Sequence, residues 1–195
     1  MIFPTKYRCL TQNVYGKDSF RIIPIRYNDR FEIMKWRNDQ LYHLRQKKIL
    51  TENDQNIYFT NVVFDLFNSN KPNQLLFSFL KNGNLIGYGG LVHINWIDKN
   101  AEISFVMSTK LENKFFEANW LIFLELIENL GFNELIFKKL YVYAFDLRPN
   151  LYPILEKRNF IYEARLNNHV FINKEFKDVV FYSKFNKDEK DSNID

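Results

Sequence analysis

Two proton-handling side chains stand inside apolar strand patterns of this 195-residue chain: Glu102 in NAEISFVM and His93 in the run LIGYGGLVHINW. A positioned carboxylate or imidazole that accepts a proton from a nucleophile contributes roughly 10²- to 10⁴-fold to a rate. An acidic residue in an apolar strand serves either that role or a structural pairing with Lys or Arg, and the residue pattern leaves both open. His93 has the same two readings, base or hydrogen-bonded structural imidazole. An even number of residues connecting the two strands puts His93 and Glu102 on one face, and an odd number separates them. Tyr152, in PNLYPILEK, offers a phenol near a helix start. Cys9 has no His or Asp beside it in sequence and reads as structural. His43 and His169 stand alone, and three His with one Cys give no metal-ligand spacing.

The elements that must hold these groups run from Asn100 to Phe160. Asn100 to Met107 is apolar on both faces, which predicts a strand in the middle of a sheet. Phe116, Trp120, Phe123, Leu124, Ile127 and Leu130 recur at helical spacing and predict a helix of about four turns, stopped by Gly131. A polar loop, STKLENK, precedes it. Lys139 to Phe145 predicts a second strand, and Pro149 to Arg158 a short helix opened by proline. Upstream, Lys6–Gln12 and Ser19–Arg26 read as strands of a hairpin. Asn28 reads as the cap of a helix ending near Asn38 or Asp39. Thr51 and Asp54 form a capping box opening a helix over 52–68. Asn82-Gly83 between two apolar runs predicts a tight hairpin, and Gly87, Gly89 and Gly90 predict a bulge or a close backbone approach. Tyr162–Leu166, Val170–Ile172 and Phe176–Phe185 complete the strands.

This order resembles the cofactor-binding half of the GNAT acyltransferase superfamily. The segment RPNLYPILEKRNF resembles the family's closing motif, and PIRYNDRFEIMKWRND its opening strand and helix. The run KWRN is similar to members that acylate nucleotide-linked amino sugars. The resemblance implies an α+β fold: a mostly antiparallel twisted sheet of about seven strands with helices on both faces. It also implies direct attack of a primary amine on acetyl- or longer acyl-coenzyme A, without a metal or a covalent enzyme intermediate. Carried over residue by residue, Phe105, Val106 and Met107 lie along the pantetheine arm, and Glu102 occupies a base position. The loop places Lys110, Asn113 and Phe115 where the family has a Gln or Arg and two glycines. Phe115 narrows the approach of backbone to a pyrophosphate, so Lys110 and Lys114 carry more of that contact. Leu155 stands at the family's tyrosine position, with Tyr152 one turn away as either its substitute or a core residue. Arg148 stands where an Asn is frequent, with Asn150 two residues on. Trp36, Arg37 and Asn38 are the implied acceptor contacts.

Composition sets the remaining bounds. With 46% hydrophobic and 17% aromatic residues the chain has ample core for one domain over 1–185, the first nineteen residues adding an extra strand or hairpin. The polar stretch 186–195 reads as a disordered tail. The 20 Phe and 11 Tyr fit either an aromatic core or a lined cleft. A net charge of +4, spread along the chain and dense only at Arg45–Lys48, argues against nucleic acid and suits a phosphorylated small molecule. No apolar run approaches a membrane span, and a lone cysteine suits a reducing compartment, which together predict a cytoplasmic protein. The preferred acceptor is a nucleotide-linked amino sugar for surface polysaccharide. A protein N-terminus, as for ribosomal-protein acetyltransferases, is the alternative acceptor, an acyl carrier protein an alternative donor, and a non-catalytic acyl-coenzyme A binding domain the alternative function.

Overall fold

The computed structural model describes residues 2–187. Its strands are β1 (Tyr15–Lys17), β2 (Phe20–Pro24), β3 (Leu75–Lys81), β4 (Asn84–Asn95), β5 (Asn100–Met107), β6 (Lys139–Phe145), β7 (Ile161–Ile172) and β8 (Glu175–Phe185). Its helices are α1 (Arg30–Asp39), α2 (Glu52–Tyr58), α3 (Phe64–Asn68), α4 (Thr109–Glu128) and α5 (Tyr152–Lys157). The strands make one sheet in the order β1-β2-β3-β4-β5-β6-β8-β7, one strand more than the sequence predicts, and every pair is antiparallel except β5 with β6.

Strand alternation distributes the helices over both faces. From β4, Tyr88 meets Arg37 of α1 on one side, while Gly89 lies under Phe123 of α4 on the other. The glycines are there for room: a Cβ on Gly89 would stand 2.2 Å from the Ser104 carbonyl oxygen, and one on Gly90 1.9 Å from that of Leu75. Phe105 stacks on Phe123 with ring centroids 4.0 Å apart and meets Trp120 edge-on, which ties the central strand to the long helix.

Several local expectations hold. Thr51 and Asp54 cap α2 reciprocally, and helical turns run on to Asn68 through a wide turn at Phe59–Val63. Asn82 and Gly83 turn the β3–β4 hairpin with φ of 49° and 79°. Others do not. Lys6–Gln12 is not a strand. Its backbone is met by other partners, Asn13 on the Tyr7 N–H and the Phe67 carbonyl on the Arg8 N–H, and Tyr7 is buried with its hydroxyl on Leu76. The hairpin instead spans β1 and β2. Asn28 is no cap; Asp29 precedes α1, with its carboxylate held by Arg26 and Ser78.

The largest correction concerns STKLENK, which is helical from Thr109 on. α4 begins at Thr109, directly after the strand, because this stretch has no Gly or Pro and consists largely of good helix formers. Gly131 does not stop α4. The chain continues through a wide turn over Asn129–Glu134, where Gly131 packs against Leu140 and a Cβ would stand 2.7 Å from a methyl group of that side chain. Asn186, the first residue of the expected tail, donates its N–H to the Lys138 carbonyl, and 188–195 lies outside the described residues.

Candidate active site

The one parallel pair of the sheet is short. β5 and β6 are in register over Asn100–Lys139, Ala101–Leu140 and Glu102–Tyr141, and then part. From Ile103 to Met107 and from Val142 to Phe145 the facing backbone edges are not paired with each other, which opens a wedge in the middle of the sheet. A cleft of about 330 Å³ occupies it, lined by residues of β4, β5, β6, α4 and the segment between α1 and α2. A second recess, near the C-terminal end of α4, is crossed by the ion pairs Lys17–Glu125, Arg158–Glu128 and Lys184–Glu128, which satisfy one another.

Glu102 is the carboxylate of the cleft. Its side chain is 10% exposed, and Nη2 of Arg45 lies 3.0 Å from each of its oxygens. Burial pushes its carboxyl above the usual range, while the Arg45 charge pulls it back. The even connector 96–99 puts His93 on the same face as Glu102, as strand parity requires, and a ladder irregularity adjusts how the two side chains meet. The β4–β5 ladder slips between Val92 and Asn95, so His93 and Ile94 oppose Ala101 alone, and His93 sits at φ 49°. This bulge re-aims the imidazole until its Nε2 is 4.0 Å from Glu102 Oε2 and 2.9 Å from Nη1 of Arg45.

Around these two, the segment 40–50 covers the cleft. Gln40 is fully buried and donates to the Met107 carbonyl at 2.8 Å, which fixes the segment to the end of β5. His43 lies 3.1 Å from Nη1 of Arg148. Burial, helped by that guanidinium, lowers its pKa to about 3, so the ring is neutral. Arg148 is 12% exposed, donates to Glu112 of α4 at 2.6 Å and lies 4.7 Å from the Phe116 ring centre. It therefore closes over the α4 end of the wedge instead of standing in solvent.

The predicted residues separate into groups. Glu102, His93, Phe105, Arg37 and Arg148 line one cleft. Val106 and Met107 continue β5 beyond it, both buried. Lys110, Asn113 and Lys114 share one exposed face of the first two turns of α4, with Phe115 exposed beside them and the Lys81 and Lys114 ammonium groups over its ring. Asn150 is exposed in the turn before α5. Trp36 is a core residue of α1, 5% exposed, and Asn38 clamps the covering segment through Leu50 and Gln46; neither lines the cleft. Tyr152 also points elsewhere. Its hydroxyl donates to Asp146 and its ring stacks on Tyr182, and burial with that carboxylate raises its pKa, which disfavours it as a proton source for the cleft. Sequence reasoning missed Arg45, His43, Gln40 and Tyr143. The first left a faint signal in the dense basic run, and the others left none.

A mostly antiparallel sheet with one splayed parallel pair, a long helix starting where the wedge opens, and a buried carboxylate at its base define a coenzyme A-dependent N-acyltransferase fold. The family profile described as an acetyltransferase (GNAT) domain matches residues 22–181, and the chain belongs to this family. Among solved structures it is similar to the spermidine N-acetyltransferase of Vibrio cholerae in complex with coenzyme A and spermine. That match has a TM-score of 0.74 and 18% identity and covers 87% of this chain and 96% of that one. A probable acetyltransferase aligns with TM-score 0.72 and 17% identity over 88% and 96% of the two chains. These likenesses place the fold. The protein is an acyl-coenzyme A-dependent transferase, and no helix among the described residues is long and apolar enough to cross a membrane.

Proposed function

We propose that this cleft transfers an acetyl group from acetyl-coenzyme A to the primary amine of an anionic small molecule, with a nucleotide-linked amino sugar as the best-fitting class. One observation carries the choice. Arg37 lines the cleft half-buried, and among the described residues its hydrogen bonds go to Gln46 at 2.9 Å and the Tyr88 hydroxyl at 2.7 Å, both neutral. A shielded charge without a counter-charge is costly, and an anionic ligand offsets that cost. Arg45 is paired with Glu102 and Arg148 with Glu112, so among the described residues the cleft keeps one uncompensated cation, Arg37. A polyamine, the substrate of the Vibrio cholerae enzyme, would bring further cations to the uncompensated Arg37 and meet repulsion there.

The donor fits the opposite end. Unpaired strand edges in the wedge supply backbone partners for an amide-bearing arm. Lys110, Asn113 and Lys114 on the first turns of α4, with the helix N-terminus, would hold a pyrophosphate. When the donor is bound, its thioester supplies the activated acyl carbon. The acceptor nitrogen forms the N–C bond to that carbon, the C–S bond breaks, and the sulfur takes a proton to leave as thiol. The proton lost by nitrogen passes to the Glu102–His93 pair, which stands at the base of the wedge.

Thiol release from acetyl-coenzyme A against a panel of amines tests this reading. Turnover is expected with amino sugars linked to nucleoside diphosphates, with kcat/KM above that for spermidine and falling as salt rises. Preference for spermidine, or no thiol release with any anionic amine, contradicts it.

A further inference from the structure

Glu102 and His93 are neighbours that do not touch. Their nearest polar atoms are 4.0 Å apart, and the Arg45 guanidinium occupies the place where a direct bond would form: Nη1 on the imidazole at 2.9 Å, Nη2 on the carboxylate at 3.0 Å. The same guanidinium lies 4.1 Å from the centre of the Tyr143 ring, so a planar cation is held by three groups at once. Yet Arg45 is 42% exposed and comes from the segment 44–50, which has no regular structure. A cation so placed is within reach of whatever enters the cleft.

We propose that Arg45 is a positioning residue that reads the acceptor: it holds Glu102 as a carboxylate and keeps His93 off it until the acceptor's anionic group draws the guanidinium away. Glu102 then gains basicity when an amine is present to use it, and the imidazole is free to close on the carboxylate. The inference rests on the proposed anionic acceptor for its trigger, and on the observed contacts alone for the fork. The groups facing Glu102 are Arg45 from the covering segment, His93 from the β4 bulge and Tyr141 from β6. Arg45 is the fixed cation among them, so once it leaves burial is opposed by His93 alone among these groups.

The test follows the Glu102 carboxyl carbon by NMR, assigned from the resonance lost in Glu102→Gln. Arg45→Met is expected to raise the Glu102 titration midpoint by about one pH unit, and Arg45→Lys to restore part of the difference. Uridine diphosphate, used as the probe, is expected to raise the midpoint in the parent protein more than in Arg45→Met. An unchanged midpoint in folded Arg45→Met overturns the proposal. A rise in Arg45→Met together with no response to uridine diphosphate upholds the fork and removes the anionic acceptor as its trigger.

Discussion

The two walls of the cleft are built in different ways. One is the parted pair β5 and β6, locked to α4 by the stack of Phe105 on Phe123 and to β4 by glycines that admit no side chain. The other is the segment 40–50, irregular and tied down at separate points by Gln40 on Met107, Asn38 on Leu50 and Arg45 on Glu102. The first wall follows from packing density and tolerates little change. The second holds charged side chains in place by hydrogen bonds that a ligand can exchange. On the proposed reading the donor belongs to the rigid wall and the acceptor to the pliant one.

The sharpest break in this division would come at the residue the walls share. Glu102→Gln keeps shape and removes the negative charge, so turnover is expected to fall on the order of 10²-fold, while a thermal-shift titration shows acetyl-coenzyme A binding retained. An unchanged rate would return Glu102 to a purely structural pairing. On the rigid wall, Gly89→Ala forces a methyl group into the Ser104 carbonyl and is expected to cost about 3 kcal/mol in denaturant unfolding. A loss under 1 kcal/mol would mean that this wall yields more easily than its contacts imply.

A smaller effect is expected at the mouth. Lys110→Ala and Lys114→Ala each remove one exposed cation from the first turns of α4, and initial-rate kinetics should show donor KM raised roughly tenfold with kcat preserved. Because both side chains stand on one helix face and would meet the same pyrophosphate, their effects should couple instead of adding, and the double variant checks this.

A further effect lies in the pliant wall and is read as stability. His43 is held neutral in the fold, its pKa lowered to about 3 from an ordinary value near 6.5. The unfolded chain therefore binds more protons between these limits, and stability should fall as pH drops below about 6.5. His43→Asn should flatten that part of the melting-temperature profile. A parallel profile in the variant would assign the acid sensitivity elsewhere.

How much of this was legible depends on the wall. Asn100–Met107 and Lys139–Phe145 were readable to the residue because buried strands are apolar runs bounded by polar turns. The start of α4 was misread: the helical stripe of large apolar residues begins at Phe116, while the turns before it are set by propensity and bury little. Glu102 and His93 were found as residue types and, through the even connector 96–99, on one face, while the one-residue slip in β4 that shapes their contact is encoded by no alternation pattern. Arg45, His43 and Gln40 were illegible for a plainer reason. Each acts through a partner more than fifty residues away, and the segment carrying them has neither periodicity nor a cap to announce where its side chains go.

Hydrogen exchange read by mass spectrometry tests the division of labour most directly, since it reports each segment's opening separately. Acetyl-coenzyme A alone should slow exchange in 103–107, 142–145 and the first turns of α4 and leave 40–50 unchanged. Adding an amino sugar linked to a nucleoside diphosphate should then protect 40–50. Protection of 40–50 by the donor alone, with 103–107 unaffected, would contradict the account.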